Sequence, residues 1–299
     1  MNDRIERKPS GKDRRESNRE FERTAGKGNQ RDQDRTDYNR DQFGRSDFRK
    51  EKTDSEDLIY GIRAVIEAIK NETELNRILI QKGMDKVLFT ELKDVLAGKD
   101  FQLQFVPIEK LNKITASNHQ GVIAYISPVK YQSIEVLAEK WLAEGKEPCI
   151  LVLDRITDVR NFGGIARTAA CTGVDAIVIP SVGSASVTAD AIKTSAGALL
   201  QIPVCKTDLL KDSLFFLQQI GFQLVACTEK SKTSISDYNF FGPTVIILGS
   251  EENGITSDLI KMSDAKVSIP MLGDIASLNV GVAAGMILYE RLRQVNLEK

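Results

Sequence analysis

The sequence predicts an α/β protein built on a parallel sheet, preceded by a smaller α/β unit and a charged N-terminal segment. Three observations carry this. Five apolar, β-branched runs (149–153, 176–179, 223–227, 245–248 and 266–269) alternate with helical patterns at 163–172, 189–196, 209–220 and 277–294. Strands apolar on both sides and separated by helices imply a parallel sheet covered on both faces. A shorter alternation fills 58–126, and before it residues 1–50 hold 15 Lys/Arg and 11 Asp/Glu with only six larger apolar side chains.

Taken in order, residues 1–55 cannot bury enough surface to offset their ordering entropy and are expected to be disordered. They are either an inert solvated tail or a weakly basic arm that finds nucleic acid by charge. Residues 58–61 lead into a helix at 62–70, where Val65, Ile66 and Ile69 share a face. A strand at 77–81, a helix at 85–97, a strand at 102–106, a short helix from Ile108 and a strand at 121–126 complete a unit of βα repeats. A connecting helix at 133–144 contains the only tryptophan, Trp141, and Gly145-Lys146-Glu147-Pro148 breaks the chain. The expected division is a tail at 1–55, a small domain at 56–130, a linker helix at 131–147 and the main domain at 148–299.

Composition excludes several functions. With 299 residues, 41 Lys+Arg and 42 Asp+Glu, the formal charge is −1, and the part after residue 50 is net −5. No apolar run approaches a membrane span and the N-terminus lacks the apolar region of a secretory signal, so a soluble, cytoplasmic protein is expected. Four scattered cysteines and one histidine, His119, make a tetrahedral zinc site hard to assemble, and no metal is expected. Neither G-x-G-x-x-G nor G-x-x-x-x-G-K-[ST] occurs, which removes the dinucleotide fingerprint and the Walker loop.

Ligands of parallel sheets sit at the carboxyl ends of strands. Three post-strand segments are chemically unusual: 154–167, with Asn161-Phe162-Gly163-Gly164 and Arg167; Gly249-Ser250-Glu251-Glu252-Asn253-Gly254; and 270–280, with Ser277-Leu278-Asn279-Val280. Each alone has a plain structural reading. Asn161 can be a helix N-cap, Gly249-Ser250-Glu251 a turn, and Ser277 the cap of the last helix.

Together, in this order and spacing, they resemble the SpoU (TrmH-like) family of S-adenosylmethionine-dependent RNA ribose 2′-O-methyltransferases. N-x-G-x-x-x-R matches Asn161, Gly163 and Arg167; G-x-E-x-x-G matches Gly249, Glu251 and Gly254; I-P-M-x-G-x-x-x-S-L-N-V matches 269–280 throughout. Where one variant has Ser after that Val, this chain has Gly281. The small unit, with its glycine-led helix at 61–70 and Asn118-His119-Gln120-Gly121-Val122, resembles the substrate-binding domain of the ribosomal-RNA branch. The resemblance implies a trefoil-knotted α/β fold, a homodimer and S-adenosylmethionine as cofactor. It places Thr228, Gly249, Ile269, Met271 and Leu278 at the cofactor, and Asn161, Arg167, Glu251, Ser277 and Asn279 in catalysis. It further implies 23S rRNA, at a guanosine, as substrate, with tRNA as the alternative.

In the implied chemistry the difficult step is removing a weakly acidic 2′-OH proton. Arginine is a poor proton acceptor. Arg167 is therefore read as a guanidinium that binds the target phosphate and stabilises the developing alkoxide, with phosphate or water taking the proton. Asn161 and Asn279 would position by hydrogen bonds, Glu251 would hold Arg167 or Asn161, and Ser277 would order the third loop. RNA contacts are expected from Arg155, Arg160 and Lys193. His119 is either a satisfied structural histidine or part of an RNA-contacting loop. The four cysteines are read as buried thiols. Two other classes compete: an inactive RNA-binding or ribosome-assembly module, opposed by Arg167, Glu251, Ser277 and Asn279, and a Rossmann-type oxidoreductase, opposed by the missing glycine fingerprint.

Overall fold

A computed structural model describes residues 58–97, 101–273 and 277–297. The disorder expected for 1–55 lies outside the described residues.

The small sheet is mixed. Strands β1 (Leu58–Tyr60), β2 (Leu75–Gln81), β3 (Leu103–Val106) and β4 (Val122–Ile126) lie in the order β1-β4-β2-β3. Only β2 and β3 are parallel, joined through α2 (Lys86–Leu96); β4 runs antiparallel to both of its neighbours, β1 and β2. The expected βα repeat therefore holds for one unit only. Alternation of element types is visible in sequence, but the insertion of β4 between β1 and β2 is a long-range pairing that periodicity does not encode. Helix α1 (Ile62–Lys70) buries Val65, Ile66 and Ile69 on one face of this sheet, as the spacing predicts. Asp85 caps α2 by accepting from the Val87 and Leu88 amides. On the other face, α3 (Ile108–Ile114) seats Leu111 on Leu79 and Ile123.

The large sheet is parallel throughout. Strands β5 (Cys149–Asp154), β6 (Ala176–Pro180), β7 (Val204–Thr207), β8 (Gln223–Cys227), β9 (Thr244–Gly249) and β10 (Ala265–Val267) take the order β10-β8-β9-β5-β6-β7. Cys149, Leu151 and Leu153 of β5 face one core, with α5 (Val159–Cys171) and α9 (Val280–Leu297); Ile150 and Val152 face the other, with α4 (Ile134–Ala143) and α7 (Leu210–Gln219). Both faces are covered, as runs without polar alternation require.

Strand β7 was not among the expected strands. It has only Val204 and Cys205 buried before Lys206 and Thr207, and as an edge strand it needs apolar residues for few positions. Strand β10 ends earlier than expected, because Ser268 pairs instead with 233–235: its amide donates to the Thr233 carbonyl and its carbonyl accepts from Ile235. Ile269 is thereby released from the sheet. The chain winds outward from β5 through β6 to β7, then returns to place β9 and β8 on the other side. The crevice at the carboxyl ends of β5 and β9 is the switch point at which parallel sheets bind ligands. Threading of the 268–279 segment, on which the implied knot depends, passes through 274–276, outside the described residues.

Candidate active site

Three loops meet at that crevice, and their meeting has a definite hydrogen-bonded centre. Helix α5 starts four residues earlier than the 163–172 pattern, because Asp158 caps it by accepting from the Asn161 amide at 2.7 Å. Asn161 is thus not the cap but a first-turn residue, with its side chain free to reach outward. Its Nδ2 donates to Glu251 Oε1 at 3.1 Å, and its Oδ1 accepts from Asn279 Nδ2 at 3.1 Å. Asn279 Nδ2 also donates to Glu251 Oε1, which further accepts from the Val280 amide at 3.3 Å. One carboxylate oxygen therefore gathers groups from the first and third segments around the second.

Asn279 has a second task. Its Oδ1 accepts from the Gly281 and Val282 amides at 2.9 and 3.3 Å, so Asn279, not Ser277, caps α9. Ser277 is exposed on the loop before it. Glu251→Ala is expected to leave the Val280 amide and both asparagine amides without their shared acceptor, at a cost of about 1–2 kcal/mol. Hydrogen exchange at Val280 should quicken severalfold; unchanged protection would show that the carboxylate does not order the loop.

The glycines are steric necessities at two positions. A Cβ on Gly249 would stand 2.1 Å from the Gly254 carbonyl carbon, because the 250–254 turn folds back with the Gly254 amide bonded to Ser250 O at 2.8 Å. A Cβ on Gly163 would meet Thr194 at 2.6 Å, where α5 packs on α6 (Ala189–Thr194). Asp154, buried at the end of β5, accepts from the Thr256 amide and hydroxyl, both at 2.6 Å, and ion-pairs with Arg155 at 3.2 Å. Asp154 escaped the sequence reading, although a carboxylate ending an otherwise apolar strand is a signal of this kind.

Beside this junction lies a cavity of about 370 Å³ at the ends of β8, β9 and β10. Thr228, Gly249, Ile269, Met271 and Leu278 all line it, as do Glu251 and Ser277. Met271 and Leu278 remain 37% and 36% exposed, an apolar wall open to a ligand. Glycine-walled strand ends let backbone groups approach such a ligand closely.

The other expected residues lie apart from the cavity. Arg167, Arg160 and Lys193 are exposed on the adjoining helices α5 and α6, and Arg167 makes no ion pair among the described residues. Arg155, at φ +60°, turns its guanidinium inward to Asp154 and to the Gly254 carbonyl at 3.2 Å, so it braces the second loop. His119 is buried in the loop between α3 and β4; Nδ1 accepts from the Gly121 amide at 3.0 Å and Nε2 is 2.8 Å from Asn112 Oδ1. Both ring nitrogens are occupied within the protein, which favours its structural reading. Cys149 and Cys205 are buried as expected, and burial pushes their thiols up to about 11 and about 12. Cys171 is exposed, contrary to expectation, because it sits on the outer side of the last turn of α5. Among the described residues no group of three or more His, Cys, Asp or Glu side chains could hold a metal ion, and no helix is long and apolar enough to cross a membrane.

Comparison with known proteins shows the family of the chain. Residues 148–289 match the SpoU rRNA methylase family, and residues 58–132 match the RNA 2′-O ribose methyltransferase substrate-binding family. A protein of Staphylococcus saprophyticus assigned to the TrmH family of tRNA/rRNA methyltransferases is 34% identical over 239 residues, covering 80% of this chain and 96% of its own. The chain belongs to the SpoU (TrmH) family of RNA methyltransferases. An uncharacterized tRNA/rRNA methyltransferase of Mycolicibacterium vanbaalenii is likewise 34% identical, over 82% of this chain and 79% of that protein. Among solved structures, the SpoU methyltransferase AviRb from Streptomyces viridochromogenes, in complex with the cofactor AdoMet, aligns with a TM-score of 0.52 at 21% identity. That alignment covers 80% of this chain and 90% of AviRb, and at that identity it shows a shared fold. The family assignment makes the chain an enzyme.

Proposed function

We propose that the protein methylates a ribose 2′-hydroxyl of ribosomal RNA, with a guanosine of 23S rRNA as the favoured target, using S-adenosylmethionine and working as a homodimer. The observation that carries this reading is the Asn161–Glu251–Asn279 junction on the rim of the cavity, which joins three segments up to 118 residues apart in sequence. The cavity falls in the size range of small-molecule sites, roughly 300–1,000 Å³. Its donor set suits an adenosine ring against Ile269 and Leu278, with a hydroxyl at Thr228 and backbone groups at Gly249 for polar edges. The cofactor supplies an electrophilic methyl group on a sulfonium centre.

The protein's own residues do the rest. Glu251 holds the first and third loops in register, so the cavity and the start of α5 form one preorganised surface. Arg167 supplies a permanent positive charge for the target phosphate and for the oxyanion that develops as the 2′-OH loses its proton. Six residues beyond Asn161, Arg167 lies about 9 Å along α5 and about 240° around it, away from the junction. It is absent from the cavity wall. A partner subunit is the natural recipient of its charge. Helix α9, packed beside α5, exposes Val282, Met286 and Tyr289 at helical spacing, the kind of patch through which a two-fold dimer meets itself. Exposed Arg160 and Lys193 then extend a cationic track that offsets the net acidity of the chain.

The deciding experiment incubates the full-length protein with methyl-labelled S-adenosylmethionine and rRNA or tRNA from a deletion strain, then maps 2′-O-methyl groups. Incorporation at one rRNA nucleotide is expected, with S-adenosylhomocysteine binding and NAD ignored in calorimetry. Methylation confined to tRNA would move the substrate, and cofactor binding without transfer to either RNA would indicate an inactive RNA-binding module.

A further inference from the structure

The segment that joins the two sheets is fastened to both of them, through Tyr131 to the small sheet and through Gln132 to the large one. In β2 the pairing with β4 slips between Leu75 and Arg77, which leaves Asn76 as the extra residue of a bulge. Bulges re-aim side chains, and this one is aimed across the domain boundary. Asn76, 3% exposed, donates through Nδ2 to the Val187 carbonyl at 2.7 Å and to Ile126 O at 3.3 Å. Its Oδ1 accepts from the Tyr131 hydroxyl at 2.7 Å, and that hydroxyl accepts from the Val187 amide at 3.3 Å. Lys206 on β7 covers the cluster, 4.6 Å from the Tyr131 ring centre and 3.4 Å from the Asn76 carbonyl. The next residue, Gln132, continues the fastening by donating from its amide to Val204 O at 3.0 Å, as an added strand on the edge of the large sheet would.

Asn76 is buried, so displacing it would strand its Nδ2 donor or its Oδ1 acceptor away from water, whereas Tyr131 and Lys206 are half-buried where they meet it. Partial burial pushes the Tyr131 phenol up and the Lys206 ammonium down. What the cluster holds is also specific. Val187 immediately precedes Thr188, whose hydroxyl caps α6 at the Ala191 amide, and α6 is the helix packed into Gly163 of α5. The lock therefore ends against the two helices that carry Lys193, Arg160 and Arg167.

We propose that Asn76 and Tyr131 are positioning residues for methyl transfer, locking the small sheet onto the loop before α6 so that RNA held by the one is presented to the other in a single register. The inference rests on the methyltransferase reading for its function, but the lock itself is tested without RNA. Spin labels at Lys70→Cys and Lys211→Cys, in full-length protein carrying Cys171→Ser and diluted with excess unlabelled protein so that each dimer holds at most one labelled protomer, are expected to report one narrow distance. Tyr131→Phe, which removes a single oxygen, and Asn76→Ala should broaden it. In the methylation assay both variants should keep S-adenosylhomocysteine affinity within twofold, while KM for rRNA rises at least tenfold and new methylation sites appear. Leu92→Ala, a cavity in the small domain's core remote from the lock, should lower the melting temperature without changing site choice. A broad distance in the parent protein overturns the lock, whatever the RNA assays give. A broadened distance with unchanged KM and site choice overturns the positioning role. If the parent methylates no RNA, the functional reading fails, while the distance measurement still judges the lock.

Discussion

Arg167→Ala should lower methylation by roughly 10²–10³-fold or more, the loss seen when a group stabilising developing negative charge is removed. Cofactor affinity should stay within severalfold, because Arg167 is exposed on α5 and does not line the cavity. A variant retaining half the activity would refute the assignment. The same residue offers a test of the dimer. If Arg167 serves the partner's cavity, Arg167→Ala and the cavity variant Leu278→Asp, each inactive alone, should regain activity when mixed and re-dimerised. Random pairing makes about half the dimers mixed, each with one intact composite site, so recovery should approach about a quarter of the parent activity. If Arg167 acts within its own subunit, every site in a mixed dimer carries one defect and no activity returns. Failure to complement, with mixed dimers shown to form, would make dimerisation structural only.

Gly249→Ala should be nearly as damaging by a different route. The added methyl would lie 2.1–2.3 Å from the backbone of Gly254 and Ile255, and backbone cannot rotate aside as a side chain does. Either β9 or the 250–254 turn must move, at an overpacking cost of about 1–3 kcal/mol or more. Both form a wall of the cavity and support Glu251, so S-adenosylhomocysteine affinity should fall about 100-fold or more in calorimetry. Gly164→Ala is the matched control. It lies on α5, its Cβ would meet nothing within 4 Å, and relief of glycine's backbone entropy in a helix should leave stability unchanged or raised by about 0.5–1 kcal/mol. Equal losses from both substitutions would mean that the 249–254 contact is not what shapes the cavity.

The strong apolar runs from Cys149 onward were readable as a parallel sheet because burial on both faces demands side chains of one kind at every position, a local property of the chain. The three segments were readable because their spacing is fixed by where strands end. Residues 228, 249, 269, 271 and 278, named through the family resemblance, do line one cavity. Weaker signals failed where the partner is far away. Strand β7 carries two buried residues and is defined by β6 beside it. The cap of α9 is Asn279 and not Ser277, and the cap of α5 is Asp158 and not Asn161. Both pairs contain good capping residues, so the choice depends on which side chain the neighbouring loops recruit.

By itself, then, the sequence determined the strongly apolar strands, the inward face of α1 and the three polar segments that follow strands, since each follows from a preference that a residue and its near neighbours carry. Only the tertiary structure decided that one Glu251 oxygen would gather Asn161 and Asn279, that Arg155 would turn inward while Arg167 stays exposed, and that a bulge at Asn76 would fasten the small sheet to Val187. Those partners are separated by 28 to 111 residues. A hydrogen bond fixes its geometry through direction and a distance of about 3 Å, and no local pattern in the chain records which distant group will arrive at that distance.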